Sequence, residues 1–284
     1  MPASPRPDPL RAASHRRLRT LRHVPAVAAL LHAVAVFAAS PAAVASPVAF
    51  AGDWVVTQVA VDQADPQNWV FKPQDARLLN RVMALRGDGR LSFNLTSEAC
   101  DHVAWTAQPR ARLSTLVART FPRGPRGSGR KLPTPGDFGL KFADTTLKPF
   151  VARCPATGHD EPVRWGNAAW FAMLDERHLG VAYDSDTVLV LERIPTGAPA
   201  RPSFDCAKAA SPAETAICAS QALAGYDRSI ADAYRRALAN ADAGTRPRLE
   251  QEQHAWLATR DACKSDERCL ADSMTDRLGL LVQP

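Results

Sequence analysis

The sequence lacks most signatures of an enzyme or a metal protein. None of its six cysteines stands in a C-x-x-C pair, and there is no G-x-S-x-G, no H-E-x-x-H and no glycine-rich phosphate loop. Beyond residue 45 only four histidines occur (His102, His159, His178, His254), too scattered to form a ligand cluster. No carboxylate pair stands where its surroundings would raise a pKa. The expectation is a non-enzyme with no catalytic residue, no metal and no cofactor. Basic charge is also scarce where it would matter. Residues 1–45 hold six of the 35 Lys and Arg residues and one of the 29 acids, Asp8, which leaves 29 against 28 in the rest. Nucleic-acid binding needs a basic footprint on the folded domain, so the formal charge of +6 does not indicate it and no nucleic-acid partner is expected.

What stands at the start reads as an export address. An arginine-rich stretch ending near His23 precedes an apolar run from Val24 to Ala39, and Ala43-Val44-Ala45 has the small-x-small form that a signal peptidase accepts. Residues 1–45 are therefore read as a signal peptide, with the mature chain beginning at Ser46 in the periplasm or outside the cell. No later run approaches the ~18 apolar residues of a membrane helix, so no stable span is expected after cleavage. Cys100, Cys154, Cys206, Cys218, Cys263 and Cys269 all follow the leader, and an even count in an exported chain reads as structural disulfides.

The chain changes character near residue 200. Pro195-Thr-Gly-Ala-Pro199-Ala-Arg-Pro202 cannot continue a helix or a central strand, so 196–203 is read as a linker between a β domain at 46–195 and a helical domain at 204–284. In the first domain, Trp54–Val61 reads as a strand, and Arg81–Arg86 with Arg90–Leu95 reads as a hairpin about Gly87-Asp88-Gly89. Strands are also expected at His102–Thr106, Arg112–Val117, Phe138–Phe142, Trp165–Leu174, Leu179–Tyr183 and Thr187–Ile194. Eight or nine strands suit an antiparallel β-barrel, which removes exposed edges. Gly52-Asp53-Trp54, with Arg193 at the end of the last strand, resembles the G-x-W start and stacking Arg of lipocalin-type barrels. That resemblance implies barrel closure by Trp54 and Arg193, and a binding role for a small apolar ligand or for a protein at the barrel mouth. Cys100 and Cys154 are the domain's only cysteines and pair if domains fold as units. Between them, Arg110 to Lys131 carries seven basic residues and no acid. Its Gly- and Pro-rich second half is read as a loop, either a contact for an anionic partner or a solvated insertion.

In the second domain Ser211-Pro212-Ala213-Glu214 is a capping box opening a helix that runs to about Asn240–Gly244. Thr245 is expected to cap a second helix, and a third covers about 266–281; together they make a three-helix bundle. About 80 residues bury a small core, and domains of this size need staples. Pairing Cys206 with Cys218 and Cys263 with Cys269 would supply them, with the two crossed pairings left open. Phe204-Asp205-Cys206-Ala207-Lys208-Ala209, Glu214, Ile217-Cys218, Tyr226-Asp227, Tyr234, Gln253-x-x-Trp256-Leu257-x-x-Arg260-Asp261-x-Cys263, Cys269-Leu270 and Arg277 resemble the cysteine-rich helical domain of the LprI-like lysozyme inhibitor family over residues 203–281. Met274 replaces the family's usual Tyr, and Tyr226 its usual Leu before Asp.

The resemblance implies an exported, non-catalytic protein that binds lysozyme or another peptidoglycan-cleaving enzyme. Two other readings stand beside it: an envelope module binding a ligand or partner, and an immunity protein against a cell-wall-degrading toxin. Trp256 beside Arg260 and Asp261 is either a binding hot spot or a core Trp with its polar neighbours on backbone.

Overall fold

The computed structural model describes residues 48–66, 69–93, 99–123, 129, 131–154, 170–183 and 187–282. The leader, the segment 165–169 and the sequence around Arg126 and Arg130 lie outside the described residues. Eleven strands come first: β1 Gly52–Val61, β2 Val82–Leu85, β3 Leu91–Phe93, β4 Ala99–Cys100, β5 Ala104–Ala107, β6 Ala111–Arg112, β7 Thr146–Leu147, β8 Phe150–Arg153, β9 Trp170–Met173, β10 His178–Tyr183 and β11 Thr187–Ile194, with helix α1 at Leu113–Thr120. Four helices follow: α2 Pro212–Ala219, α3 Gln221–Asn240, α4 Thr245–Ala262 and α5 Glu267–Val282.

Nine strands form one antiparallel sheet in the order β4-β3-β2-β1-β11-β10-β9-β8-β5, curled into a half-barrel, and β6 and β7 pair separately. The long partners β1 and β11 lie at its centre, with Trp54 opposite Arg193. A register shift between Val56 and Gln58 adds one residue to β1. Trp54 and Val56 face the concave core; the extra residue makes Val59, not Gln58, continue that face. The hydrogen-bond ladder does not close among the described residues, since β4 and β5 remain its margins. The open side is bridged instead by the Cys100–Cys154 disulfide, from β4 to the residue after β8, and by Val103 N, just before β5, donating to Gly89 O in the β2–β3 turn at 2.9 Å.

The concave side is a packed core, not a chamber. Trp54, Phe93, Trp105 and Phe171 are all buried there with Met83, Leu91 and Leu189, and the Phe50 ring lies 5.5 Å from that of Trp105, tilted by 59°. The convex face of β9, β10, β11 and β1 presents Ala172, Ala182, Val188, Val190 and Ala60 to a second apolar cluster. Two expected strands are corrected at this face. Arg112–Val117 is largely helical, because Leu113, Leu116 and Val117 recur at three-and-four spacing and cover the sheet as one stripe. The missing helix cap is supplied from a distance: Asp144 accepts from Ser114 N at 2.8 Å and from its Oγ at 2.9 Å. Phe138–Phe142 is a turn, in which Gly139 takes φ +65° and Phe138 and Leu140 insert into the same cluster.

In the helical region the capping box forms as read. Ser211 Oγ accepts from Glu214 N at 3.1 Å, and the Glu214 carboxylate accepts from Ala210 N and Ser211 N. The single helix expected after it is divided at Ser220. This residue is extended (φ −120°, ψ 118°) and its hydroxyl accepts from Leu223 N, so it ends α2 and caps α3. Asp242, not Thr245, caps α4, accepting from Gly244 N and Thr245 N at 3.0 and 2.7 Å. Ile217, Leu223, Tyr226, Ile230, Leu270, Met274 and Leu278 form the core. Disulfides join Cys206 to Cys218 and Cys263 to Cys269.

Candidate functional site in the helical region

The residues singled out by sequence in this region converge on the contacts between α2, α4 and α5. Phe204 packs against the core, and Asp205 accepts from Ala207 N at 3.0 Å, capping a short 3-10 turn at Cys206–Lys208. Helix α4 has one buried residue, Arg260, 4% exposed. Its guanidinium donates to Asp261 Oδ1 from Nε at 2.9 Å and from Nη2 at 2.7 Å. It also lies 4.0 Å from Glu214 and 5.7 Å from the Trp256 ring centroid. Glu214 is held below the usual carboxylate range, first by the Ala210 amide and then, against the cost of burial, by the Ser211 amide and the charge of Arg260. The capping box of α2 is therefore electrostatically joined to α4.

Trp256 is half-buried against the core, and its Nε1 donates to both Ser273 O and Ser273 Oγ at 3.2 Å. Arg277, 4% exposed on α5, donates from Nε to Gln253 Oε1 at 3.0 Å and lies 3.9 Å from Glu252. Burial lowers its pKa, while Glu252 and Tyr234 act in the opposite direction. Two buried guanidinium groups and one indole thus fasten a helix with little apolar contact of its own. Arg260 and Arg277 are buried fasteners of α4, while Trp256 is only partly buried and the Asp261 side chain keeps 39% of its surface exposed. Met274, which stands where the resemblance has Tyr, is fully buried in the core.

In the strand half, the Arg193 guanidinium lies 4.1 Å from the centre of the Trp54 ring and donates to Ala51 O at 2.6 Å and Ala49 O at 2.5 Å. Gly52, at φ +135°, leaves room for it, since an added Cβ would lie 2.7 Å from Arg193 Nη1. The pair latches the chain entering β1 onto the end of β11. The basic stretch divides into a helix and a pinned loop base. Arg123 donates to both carboxylate oxygens of Asp62 at 2.6 and 2.7 Å and pairs with Asp137 at 2.9 Å. Beside it an open groove of about 690 Å³ runs between the outer face of α1 (Ser114, Thr115, Ala118, Arg119) and Leu132-Pro133. Among the described residues no group of three or more His, Cys, Asp or Glu could hold a metal ion, and no helix is long and apolar enough to cross a membrane.

Sequence reading missed the contacts of Asn80, Arg81, Gly225 and Ser229, which join the strand half to α3 across roughly 150 positions of chain. The one signal for them was a glycine inside a 20-residue helix, which marks a close approach.

No curated protein and no solved structure matches this chain. Residues 206–281, which hold α2 to α5 and two of the three disulfides, match the family model described as Lysozyme inhibitor LprI.

Proposed function

We propose that the chain is exported through residues 1–45 and acts outside the cytoplasm as a non-catalytic binder of lysozyme or a related muramidase, with the helical region as the contacting part. The observation that carries this reading is the family match over 206–281, on a region whose fold is a stapled helical bundle. Three disulfides, with no free cysteine among the described residues, fit an oxidising compartment. The strand half serves this reading as a scaffold. Its concave side is filled by Trp54, Phe93, Trp105 and Phe171, which disfavours the alternative of an apolar ligand held inside a barrel.

The test is a muramidase assay on peptidoglycan with the purified, oxidised full chain, against enzymes of the common lysozyme classes. Turnover should fall in proportion to added protein and level off near one equivalent for at least one enzyme. Undiminished turnover of every enzyme at a hundredfold molar excess would refute the proposal.

A further inference from the structure

Helix α3 is covered on two sides. Leu223, Tyr226, Ile230 and Ala233 belong to the helical core together with Ala76, which comes from the turn preceding β2. That turn meets α3 at its closest point at Gly225, where an added Cβ would lie 2.1 Å from Asn80 O. No L side chain fits there. Asn80 holds φ +62°, which aims its carbonyl at the helix while its Nδ2 donates to Ser229 Oγ at 3.1 Å. The Ser229 hydroxyl in turn donates to Leu79 O at 2.7 Å. Arg228 Nε reaches Asn80 Oδ1 at 3.4 Å. The adjoining Arg81 is fully buried; its guanidinium lies 3.5 Å from the centre of the Tyr226 ring and donates to Arg77 O and Ala76 O. The segment after β11 adds to the cover: Gln221 Nε2 donates to Ala198 O at 2.7 Å, Ser203 N to Asp227 at 2.5 Å, and Arg228 to Arg201 O.

We propose that residues 74–81 are a built-in packing partner of the helical region, so that this region does not stand as a free module in this chain and the first half of α3, residues 221–230, is closed to outside proteins, while Arg235, Arg236 and Asn240 at its end stay exposed. Backbone-to-backbone approach at Gly225, a hydroxyl bridge at Ser229 and a buried cation on Tyr226 are not the features of a releasable contact: separating them would strand Arg81, Leu79 O and Ala76 together. The inference is independent of the muramidase reading, because it concerns what holds the helices. It also directs that reading, since an external enzyme would have to meet the exposed end of α3, α4, α5 or the strand half.

Hydrogen exchange on the full, oxidised chain tests it. Gly225→Ala raises helix propensity yet forces Asn80 away. Exchange of amides in 221–233 and 270–278 should speed up by about tenfold or more, while β9 to β11 stay within twofold of the parent protein. Asn80→Gly keeps the left-handed backbone and deletes the side-chain bonds to Ser229 and Arg228; it should give the same pattern at about fivefold. Gly279→Ala is the control, because nothing lies within 4 Å of the added Cβ, and exchange should not rise. Unchanged exchange at 270–278 in Asn80→Gly, or in soluble Gly225→Ala, would overturn the inference. So would acceleration confined to the turn around residue 225.

Discussion

Replacing Cys100 and Cys154 together by alanine should destabilise the chain more than removing either disulfide of the helical region. The bond closes a loop with a sequence separation of 54, against 12 for Cys206–Cys218 and 6 for Cys263–Cys269. Restricting the unfolded chain over loops of these lengths gives about 4, 3 and 2 kcal/mol respectively. Position reinforces the ranking. Among the described residues strand β4 has two residues and pairs only with β3, and the disulfide ties it to the end of β8 on the far side of the sheet. The shorter bonds staple helices that α3 and α5 already hold through Leu223, Ile230, Leu270 and Met274. Urea unfolding of the three double variants, followed by tryptophan fluorescence, reads the order directly. Equal midpoints, or a Cys100→Ala/Cys154→Ala variant that loses less than about 1 kcal/mol, would refute both the loop-entropy argument and the assignment of this bond as the seam of the half-barrel.

Further outcomes follow from single contacts. Burial presses the Arg81 guanidinium well below the usual arginine range, to about 9, with Arg228 acting in the same direction and Tyr226 against it. The unfolded chain therefore binds this proton more tightly than the folded one, and stability should rise as pH increases above about 9, by up to ~1.4 kcal/mol per pH unit. The stability difference between the parent and Arg81→Met, measured at pH 8 to 11, should show that slope, and parallel curves would contradict it. Arg123→Ala leaves Asp62 nearly buried without its bidentate partner and should cost about 2–3 kcal/mol in thermal unfolding; a loss under about 0.5 kcal/mol would make the pair a surface contact. Ser211→Ala removes half of the capping box and should cost about 1 kcal/mol, with no greater loss when Glu214→Ala is added if the two act as one unit.

Much of the strand half was legible because its turns are chemically marked. The hairpin about Gly87-Asp88-Gly89 and the closing strands β10 and β11 carry continuous apolar runs between polar turns, and they stand where the pattern puts them. Helix α1 was misread because its eight residues mix β-branched and apolar types, and only a sheet face waiting to be covered decides between the two periods. Strand β8 was missed because its register depends on β5 and β9, both remote in sequence. The break at Ser220 was hidden inside an apolar stripe that continues through it. In the candidate region the motif residues were found, but their roles were not: an Arg beside a Trp reads equally as hot spot or fastener until burial and partners are known. The α3 interface was not read at all, since it joins segments that only tertiary folding brings together and its one mark, Gly225 inside a long helix, passed unused.

On the proposed function, the helical region meets the muramidase while the half-barrel carries it. The most direct measurement is a hydrogen-exchange footprint of the full chain with and without one equivalent of an inhibited enzyme. Slowed exchange within 245–282, with 221–230 and β9 to β11 unchanged, is the predicted result. Protection confined to the strand half, or none anywhere under conditions where turnover is blocked, would contradict it.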